Sequence, residues 1–161
     1  MLEIEKKFLV KNIPNLESIK QTKIKQGYIS FPPSPLRIRQ KGELFELTKK
    51  IPLKENERGS NEEINILLTE YEFNKLWTQV EKFLEKSRYC IDIGGNLTAE
   101  VDIFEGDLSG LVWVEVEFPS QKIRDSFVPP EWFGKDITQE YFSANSFLAG
   151  KKFDEIKKFL T

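Results

Sequence analysis

The chain has 161 residues, of which 39% are apolar and 31% are charged. This composition predicts a single domain with a packed core and excludes an intrinsically disordered chain. The net charge of −2 provides no basic field that would recruit nucleic acid. Apolar runs are too short for a transmembrane helix or a signal peptide, so we expect no membrane partner and a cytoplasmic location.

Two residue types narrow the chemistry further. The single cysteine, Cys90, has no partner for an internal disulfide, which is typical of a reducing cytosol. The chain contains no histidine, which excludes histidine-based catalytic triads, histidine general bases and histidine-ligated zinc. Any metal must therefore be held by carboxylates and water, which favours hard cations such as Mg²⁺ or Mn²⁺.

The predicted elements are mostly strands that follow one another directly. Strands are predicted over residues 3–7, 26–31, 36–41, 44–51, 62–68, 87–93, 97–104 and 111–118. Helices are predicted within 12–20, over 69–84 with a capping box from Thr69 and Glu72, and over the lysine-rich 150–160. Consecutive strands with few helices predict an antiparallel sheet in an α+β or barrel architecture.

The alternation of side chains along these strands separates charged rows from apolar rows. Arg37 and Arg39 share one face of their strand, and Glu115 and Glu117 share one face of theirs. Apolar residues occupy the opposite faces and must be buried. The charged rows comprise acidic Glu3, Glu5, Glu46, Glu63, Glu100, Asp102, Glu115 and Glu117, and basic Lys7, Arg37, Arg39, Lys50, Lys86 and Arg88.

The simplest interpretation of these rows is the solvent-exposed face of an amphipathic sheet. On such a face charges normally mix with Ser, Thr and Gln, whereas here like charges are spaced two residues apart and repel. A fold tolerates that repulsion when a ligand of opposite charge binds between them. Carboxylate pairs suit a divalent cation, and arginine and lysine pairs suit a polyphosphate. The alternative is therefore a closed barrel whose charged interior binds a metal–polyphosphate complex.

The same rows carry a family resemblance over nearly the whole chain. The first strand, E-I-E-K-K at 3–7, resembles the E-x-E-x-K signature of the CYTH domain, or triphosphate tunnel metalloenzyme, family. The motifs R-I-R (37–39), L-T-K-K (47–50) and K-S-R-Y (86–89) resemble the family's R-x-R, L-T-x-K and K-x-R-Y. The stretches at 100–106 and 110–118 resemble its E-x-D-x-F-x-G motif and its closing E-x-E strand. The order of these motifs, each on a predicted strand, makes the resemblance specific.

The resemblance implies a fold and a set of site residues. Residues 1–161 would form one CYTH-like domain, an eight-stranded antiparallel closed barrel with helices packed outside, a C-terminal helix and a tunnel open at both ends. Mg²⁺ or Mn²⁺ would be held by Glu3, Glu5, Glu100, Asp102, Glu115 and Glu117. A triphosphate would be bound by Lys7, Arg37, Arg39, Lys50, Lys86 and Arg88. Catalytic roles would fall to Lys7, Lys86, Glu63 and Asp102.

Some positions depart from the family pattern or have no role in it. Many members carry an R-x-E-x-E row where this chain has G-S-N-E-E at 59–63, so Asn61 replaces a carboxylate and Arg58 is out of step. Occupancy of a second metal position is therefore open. Glu46 points either into the tunnel or to its rim, and Trp113 with Phe104 forms a floor, a gate or a plug at one end of the barrel.

The predicted function is metal-dependent hydrolysis of a triphosphate. Inorganic tripolyphosphate is the first choice because the short chain and its M-x-E-I-E-x-K-F-L-V start resemble compact bacterial members associated with that substrate. The alternatives are a class IV-type adenylyl cyclase and a non-catalytic polyphosphate- or nucleotide-binding module. The general base would be a metal-bound hydroxide or a carboxylate, with Glu63, Asp102 and Glu117 as candidates. We expect a monomer or a homodimer.

Overall fold

The computed structural model describes residues 1–33, 35–54 and 58–160. In chain order the strands are β1 (Leu2–Val10), β2 (Gln21–Ser30), β3 (Leu36–Lys41), β4 (Leu44–Pro52), β5 (Ser60–Leu68), β6 (Lys82–Asp92), β7 (Thr98–Phe104), β8 (Val112–Glu117) and β9 (Phe133–Asp136). The α-helices are α1 (Glu70–Trp77), α2 (Gln121–Ser126), α3 (Asn145–Leu148) and α4 (Phe153–Ile156). Short 3₁₀ turns span Gly106–Leu108, Tyr141–Ser143 and Lys157–Phe159.

Eight antiparallel strands close into a barrel in the order β5-β4-β3-β2-β6-β7-β8-β1. The closing contact joins β1 to β5 through three residue pairs, Leu2 with Glu62, Glu3 with Asn61 and Ile4 with Ser60. Beyond that seam the same edge of β1 pairs with the additional strand β9. The predicted closed antiparallel barrel is therefore confirmed, with one strand more than expected.

One apolar core lies outside the barrel, against β1, β7 and β8. Its side chains are the outward residues of these strands, among them Ile4, Phe8, Val101 and Val114. The segment after β8 covers them with aromatic rings, and Phe133 packs on Phe8 with ring centroids 5.1 Å apart. Burial of this row forces the residues between them, including Lys7 and Glu115, to the inside of the barrel.

A second apolar core closes one end of the barrel. Inward-facing Leu84, Phe104 and Trp113 pack there against the C-terminal part of the chain, which contributes Ile137, Phe142, Leu148 and Ile156. Phe104 and Trp113 meet edge-on with ring centroids 4.7 Å apart. The tunnel that the resemblance implied to be open at both ends is therefore filled at this end, because burying these aromatic side chains excludes water from it.

The helices differ most from the sequence-based prediction. The capping box of α1 is confirmed, since the Thr69 hydroxyl accepts from the Glu72 amide and the Glu72 carboxylate accepts from the Thr69 amide. The helix ends at Trp77, however, because Phe83 and Leu84 pair with β2 as part of β6. Residues 12–20 form bends and turns in place of the predicted helix. The C-terminal helix is shortened to α4 and one 3₁₀ turn. Among the described residues, no helix has both the length and the apolar character needed to cross a membrane.

Candidate active site

The inner surface of the barrel collects the charged rows that the sequence predicted. Cross-strand register aligns Arg88 with Asp102, Glu100 with Glu115, and Lys7 with Glu115. On the other side of the barrel it aligns Lys50 with Glu63. Opposite charges thus face each other at three of these positions, whereas Glu100 and Glu115 place two carboxylates side by side. The amphipathic-sheet interpretation is wrong, because these rows do not face bulk solvent.

The half of the lining built by β6, β7 and β8, which we call the dry half, contains an ion cluster centred on the buried Asp102 and Arg88. Asp102 has no exposed surface, and its carboxylate accepts from Lys86 at 2.5 Å and from Arg88 at 2.7 Å. Arg88 also donates to Glu115 at 2.8 Å and pairs with Glu100. Such pairs are stable inside a protein only when their hydrogen bonds are largely satisfied, as they are here.

Burial and neighbouring charge displace the pKa values of this cluster. Burial alone would raise the pKa of Asp102, but Arg88 and Lys86 outweigh it and lower that pKa. In the same way Lys7, Lys86 and Arg88 hold the pKa of Glu115 well below its ordinary value despite its burial. Burial lowers the pKa of Lys86, in spite of the attraction of Asp102 and Glu115. Asp102 and Glu115 are therefore ionised and already compensated.

Lys7 connects the ion cluster to the closed end of the tunnel. Its ammonium lies 3.0 Å from a Glu115 oxygen and donates to the Ser143 carbonyl at 3.0 Å. It also lies over the Trp113 ring, 4.6 Å from the centroid, a favourable cation–π arrangement. Glu115 and Glu5 raise the pKa of Lys7 although burial opposes this, so the residue is a fixed cation.

The half of the lining built by β3, β4 and β5, which we call the open half, is less completely paired. Lys50 contacts both Glu3 oxygens at 2.7 Å and lies 3.4 Å from Glu63. Arg37 approaches Glu63 only to 3.9 Å, and its buried Nε has no hydrogen-bond partner among the described residues. A buried donor without a partner is costly, so this guanidinium is suited to an anionic ligand.

Glu3 and Glu63 have opposite pKa shifts although they share Lys50. Burial raises the pKa of Glu3 to about 7, and Lys50 compensates only in part. For Glu63, Lys50, a hydrogen bond from Asn65 and Arg37 together overcome burial and lower the pKa to about 2. The open half therefore holds one strongly ionised carboxylate and one whose ionisation near neutral pH depends on a nearby cation.

A cavity of about 680 Å³ occupies the tunnel on the open-half side. Of the predicted site residues, Glu5, Lys7, Arg37 and Lys50 line it. The remaining predicted residues lie outside that lining, namely Glu3, Arg39, Glu63, Lys86, Arg88, Glu100, Asp102, Glu115 and Glu117. The sequence therefore placed the charges on the correct face, but only the structure separates those at the cavity surface from those behind it.

Several lining residues were not identified from sequence as site residues. Tyr28 lines the cavity and is buried, with its hydroxyl accepting from Gln26 at 2.7 Å. The charged residues of its strand, Lys23 and Lys25, lie on the opposite face, so alternation of charge gave no signal for Tyr28. Ser143 and Asn145 enter the lining from the C-terminal segment, and the buried Oδ1 of Asn145 has no hydrogen-bond partner in the described part of the chain. No sequence pattern marks that segment.

The positions that departed from the family pattern also have defined places. Asn61 lines the cavity and donates to Glu3 at 3.3 Å, in the position of the expected carboxylate. Arg58 lies before β5 yet lines the cavity. The turn after it approaches β1 closely: Gly59 has a φ of +86° and its carbonyl accepts from the Glu5 amide at 2.8 Å. Glu46 points inward and pairs with Arg39 at 2.8 Å.

Two carboxylates of the tunnel lining, Glu5 and Glu117, remain without an ion pair among the described residues. They lie directly opposite each other where β1 pairs with β8. Burial and the negative charges of Glu100, Glu5 and Glu115 raise the pKa of Glu117, as expected where carboxylates crowd without a cation. Elsewhere the lining carboxylates are turned toward lysine or arginine, and among the described residues no three potential ligands converge on one metal position.

The fold and the site define a class of protein, a closed antiparallel barrel whose interior carries both carboxylates and cations beside a cavity. The chain belongs to the CYTH domain family, whose model matches residues 1–112. The match covers the barrel up to the first residue of β8.

Relatives and solved structures extend this comparison over almost the whole chain. An inorganic triphosphatase of Nitrosomonas europaea is 37% identical over 153 residues, covering 92% of this chain and 97% of the relative. An inorganic triphosphatase of Acetivibrio thermocellus is 31% identical over 164 residues, covering 97% of this chain and 98% of the relative. A solved inorganic triphosphatase superposes with a TM-score of 0.66 at 35% identity, covering 91% of this chain and 93% of the other.

Proposed function

We propose that this protein hydrolyses inorganic tripolyphosphate with the help of a divalent cation. The observation that carries the proposal is the cavity of about 680 Å³ in which Lys7, Arg37 and Lys50 converge. Its size suits a small polyanion, and its fixed cations suit phosphate oxygens. The inorganic triphosphatases that resemble this chain over more than nine-tenths of their length support the same substrate.

The donor set fits a hard cation. Glu5 and Glu117 face each other without an ion pair among the described residues, and the raised pKa of Glu117 reflects that crowding. Carboxylates with a nearby amide, Asn61, favour Mg²⁺ or Mn²⁺ over softer metals. We propose Glu3, Glu5, Glu115 and Glu117 as the residues that hold it, with Glu100 and Asp102 behind them. When bound, the cation would neutralise phosphate charge and orient the attacking water.

The basic residues divide into two roles in this proposal. Lys7, Arg37 and Lys50 contact the triphosphate, and they stabilise the charge that spreads over the transferred phosphoryl group. Arg39, Lys86 and Arg88, also predicted to bind substrate, are already paired with Glu46, Asp102 and Glu115. In the substrate-free protein they position these carboxylates.

The three carboxylates considered as proton acceptors differ in their pKa values because their surroundings differ. Asp102 is held ionised by two cations, so it is a weak proton acceptor. The lowered pKa of Glu63 has the same consequence. The raised pKa of Glu117 applies to the site without a cation, and a cation held by Glu117 would lower it. A general base works best when its pKa lies close to the working pH. We therefore propose that neither Asp102 nor Glu63 receives the proton of the attacking water.

The test is a rate comparison with tripolyphosphate, ATP and thiamine triphosphate, each with Mg²⁺ and with Mn²⁺. We expect phosphate release to be fastest from tripolyphosphate, to stop with EDTA and to return when metal is added. The variant Lys50→Met should lose most of the rate, and Glu43→Gln, at an exposed turn, should retain it. Cyclic AMP formation from ATP that outpaces phosphate release would overturn the proposal in favour of a cyclase. Tight binding without turnover would favour a binding module.

A further inference from the structure

The outer face of the barrel carries an uncovered apolar patch beside the seam that closes it. The patch consists of Leu2, Ile51, Ile64 and Ile66, which are 58%, 38%, 45% and 53% exposed; we call it the seam patch. Farther along the same face the barrel is covered by α1, whose Phe73 packs against Phe45. Exposed apolar side chains that cluster on neighbouring strands often mark an interaction site.

Two opposite charges lie within the seam patch. Cross-strand register places Glu62 between Leu2 on β1 and Ile51 on β4, and it places Lys49 opposite Ile64. Lys49 and Glu62 are both exposed on the outer face, and neither forms an ion pair within the described ranges. They occupy diagonal corners of a four-residue cell whose other two corners are Ile51 and Ile64.

We propose that the seam patch binds a second copy of this chain in a two-fold symmetric dimer. We place the two-fold axis in the plane of the interface, along the line from Ile51 to Ile64. Each of these isoleucines then contacts the same residue of the second subunit. The same rotation places each Lys49 on Glu62 of the partner subunit, so one ion pair forms twice. Self-complementary charge is the requirement of an isologous contact, and a partner of a single charge sign would meet repulsion at one of the two corners.

The dimer has a structural consequence for the tunnel. The barrel seam rests on three residue pairs between β1 and β5, and one of these pairs joins Glu3 to Asn61 inside the tunnel. Burial of Leu2 and Ile64 between two subunits braces both strands from outside. Lys49 and Glu62 themselves point away from the tunnel, whereas Lys50 and Glu63, their neighbours in sequence, point into it. Association can therefore be tested without altering the residues that line the cavity.

The experiment is a measurement of molar mass against concentration for the full chain and for charge-reversed variants. We expect the unmodified chain to dimerise reversibly, and we expect K49E and E62K each to raise the dimer dissociation constant by about tenfold or more, since each places like charges at both contacts. An equimolar mixture of K49E and E62K should recover dimerisation, because the mixed dimer restores two opposite-charge contacts. I64K should abolish it. V128K, at an apolar residue that is 83% exposed elsewhere, is the matched control and should leave the mass unchanged.

Circular dichroism and triphosphatase rate serve as folding controls for these variants, because all of them lie outside the tunnel. A chain that stays monomeric over the whole concentration range overturns the proposal and leaves the seam patch to a different protein. A mixture that associates no better than either variant alone also overturns it, because the Lys49–Glu62 contact is then absent. Neither result bears on tripolyphosphate hydrolysis, which is measured separately.

Discussion

The two halves of the tunnel lining use the same residue types in different states. In the dry half, Arg88 and Asp102 are 5% and 0% exposed and are held in a closed network of ion pairs. In the open half, Arg37 keeps a donor without a partner among the described residues, and Lys50 lies at the cavity surface. Charge alone therefore does not make a phosphate ligand. A cation whose charge is already compensated by carboxylates stabilises the barrel, whereas a cation beside the cavity is available to bind the ligand.

The largest expected effect is the loss of unfolding free energy when an arginine is replaced, and it should differ between the two halves. Arg88→Met removes the cation that compensates Asp102 and Glu115, so the free energy of unfolding should fall by about 3–5 kcal/mol. The matched change Arg39→Met removes a single partly exposed pair with Glu46 and should cost about 1 kcal/mol or less. Urea unfolding in EDTA measures both. Equal losses would show that the two halves do not differ in the way their charges are compensated.

The second effect concerns the ligand. Tripolyphosphate with metal, at about 100 times its dissociation constant, should raise the free energy of unfolding by about 2.7 kcal/mol, provided that it binds only the folded chain. The increase should depend on the open half, so Lys50→Met should remove most of it at the same ligand concentration. Thermal unfolding with and without ligand provides the measurement. A full increase in Lys50→Met would place the binding site elsewhere in the barrel.

The third effect is kinetic. Lys50→Met and Arg37→Met each remove a charge-assisted contact in the open half, so kcat/KM for tripolyphosphate should fall by roughly 10- to 150-fold, the equivalent of about 1.5–3 kcal/mol. Their unfolding free energies should fall by less than that of Arg88→Met, since Arg88 compensates three carboxylates, whereas Arg37 approaches one and Lys50 two. Initial rates over a range of tripolyphosphate concentrations test this. Unchanged kinetics in both variants would contradict the assignment of the open half as the phosphate side.

The fourth effect, confined to acid pH, is a pH dependence of stability. The folded pKa of Glu63 is about 2, below its ordinary 4.5, so between these values the folded chain binds fewer protons than the unfolded chain. The contribution of Glu63 to the free energy of unfolding is therefore fully present above about pH 4.5, and it is lost as the pH falls toward about 2. Glu63→Gln should flatten the slope of unfolding free energy against pH in this window, whereas Glu43→Gln should leave it unchanged. Identical slopes would mean that Lys50 and Arg37 do not hold Glu63 ionised.

The alternation of residues by itself determined which side chains face the inside of the barrel. Period-two spacing is a property of any strand, so the rows through Glu3 and Lys7, Arg37 and Arg39, or Glu115 and Glu117 are visible before any folding. The order of the family motifs along those strands added the closed barrel. Local capping chemistry likewise determined the start of α1 at Thr69.

The tertiary structure decided how far each element extends and which charges reach the cavity. The apolar spacing of α1 continues through Phe83 and Leu84, yet these residues belong to β6. There they pair with Gln26 and Gly27 of β2, whose backbone groups would lack these partners if the helix were longer. Lys50 and Lys86 look alike in sequence. Lys86 is buried beside Phe104 and Trp113 because the C-terminal segment fills that end of the barrel, whereas the Lys50 side chain is 28% exposed and lines the cavity. Burial depends on contacts between residues far apart in the chain, which is why only the folded barrel distinguishes them.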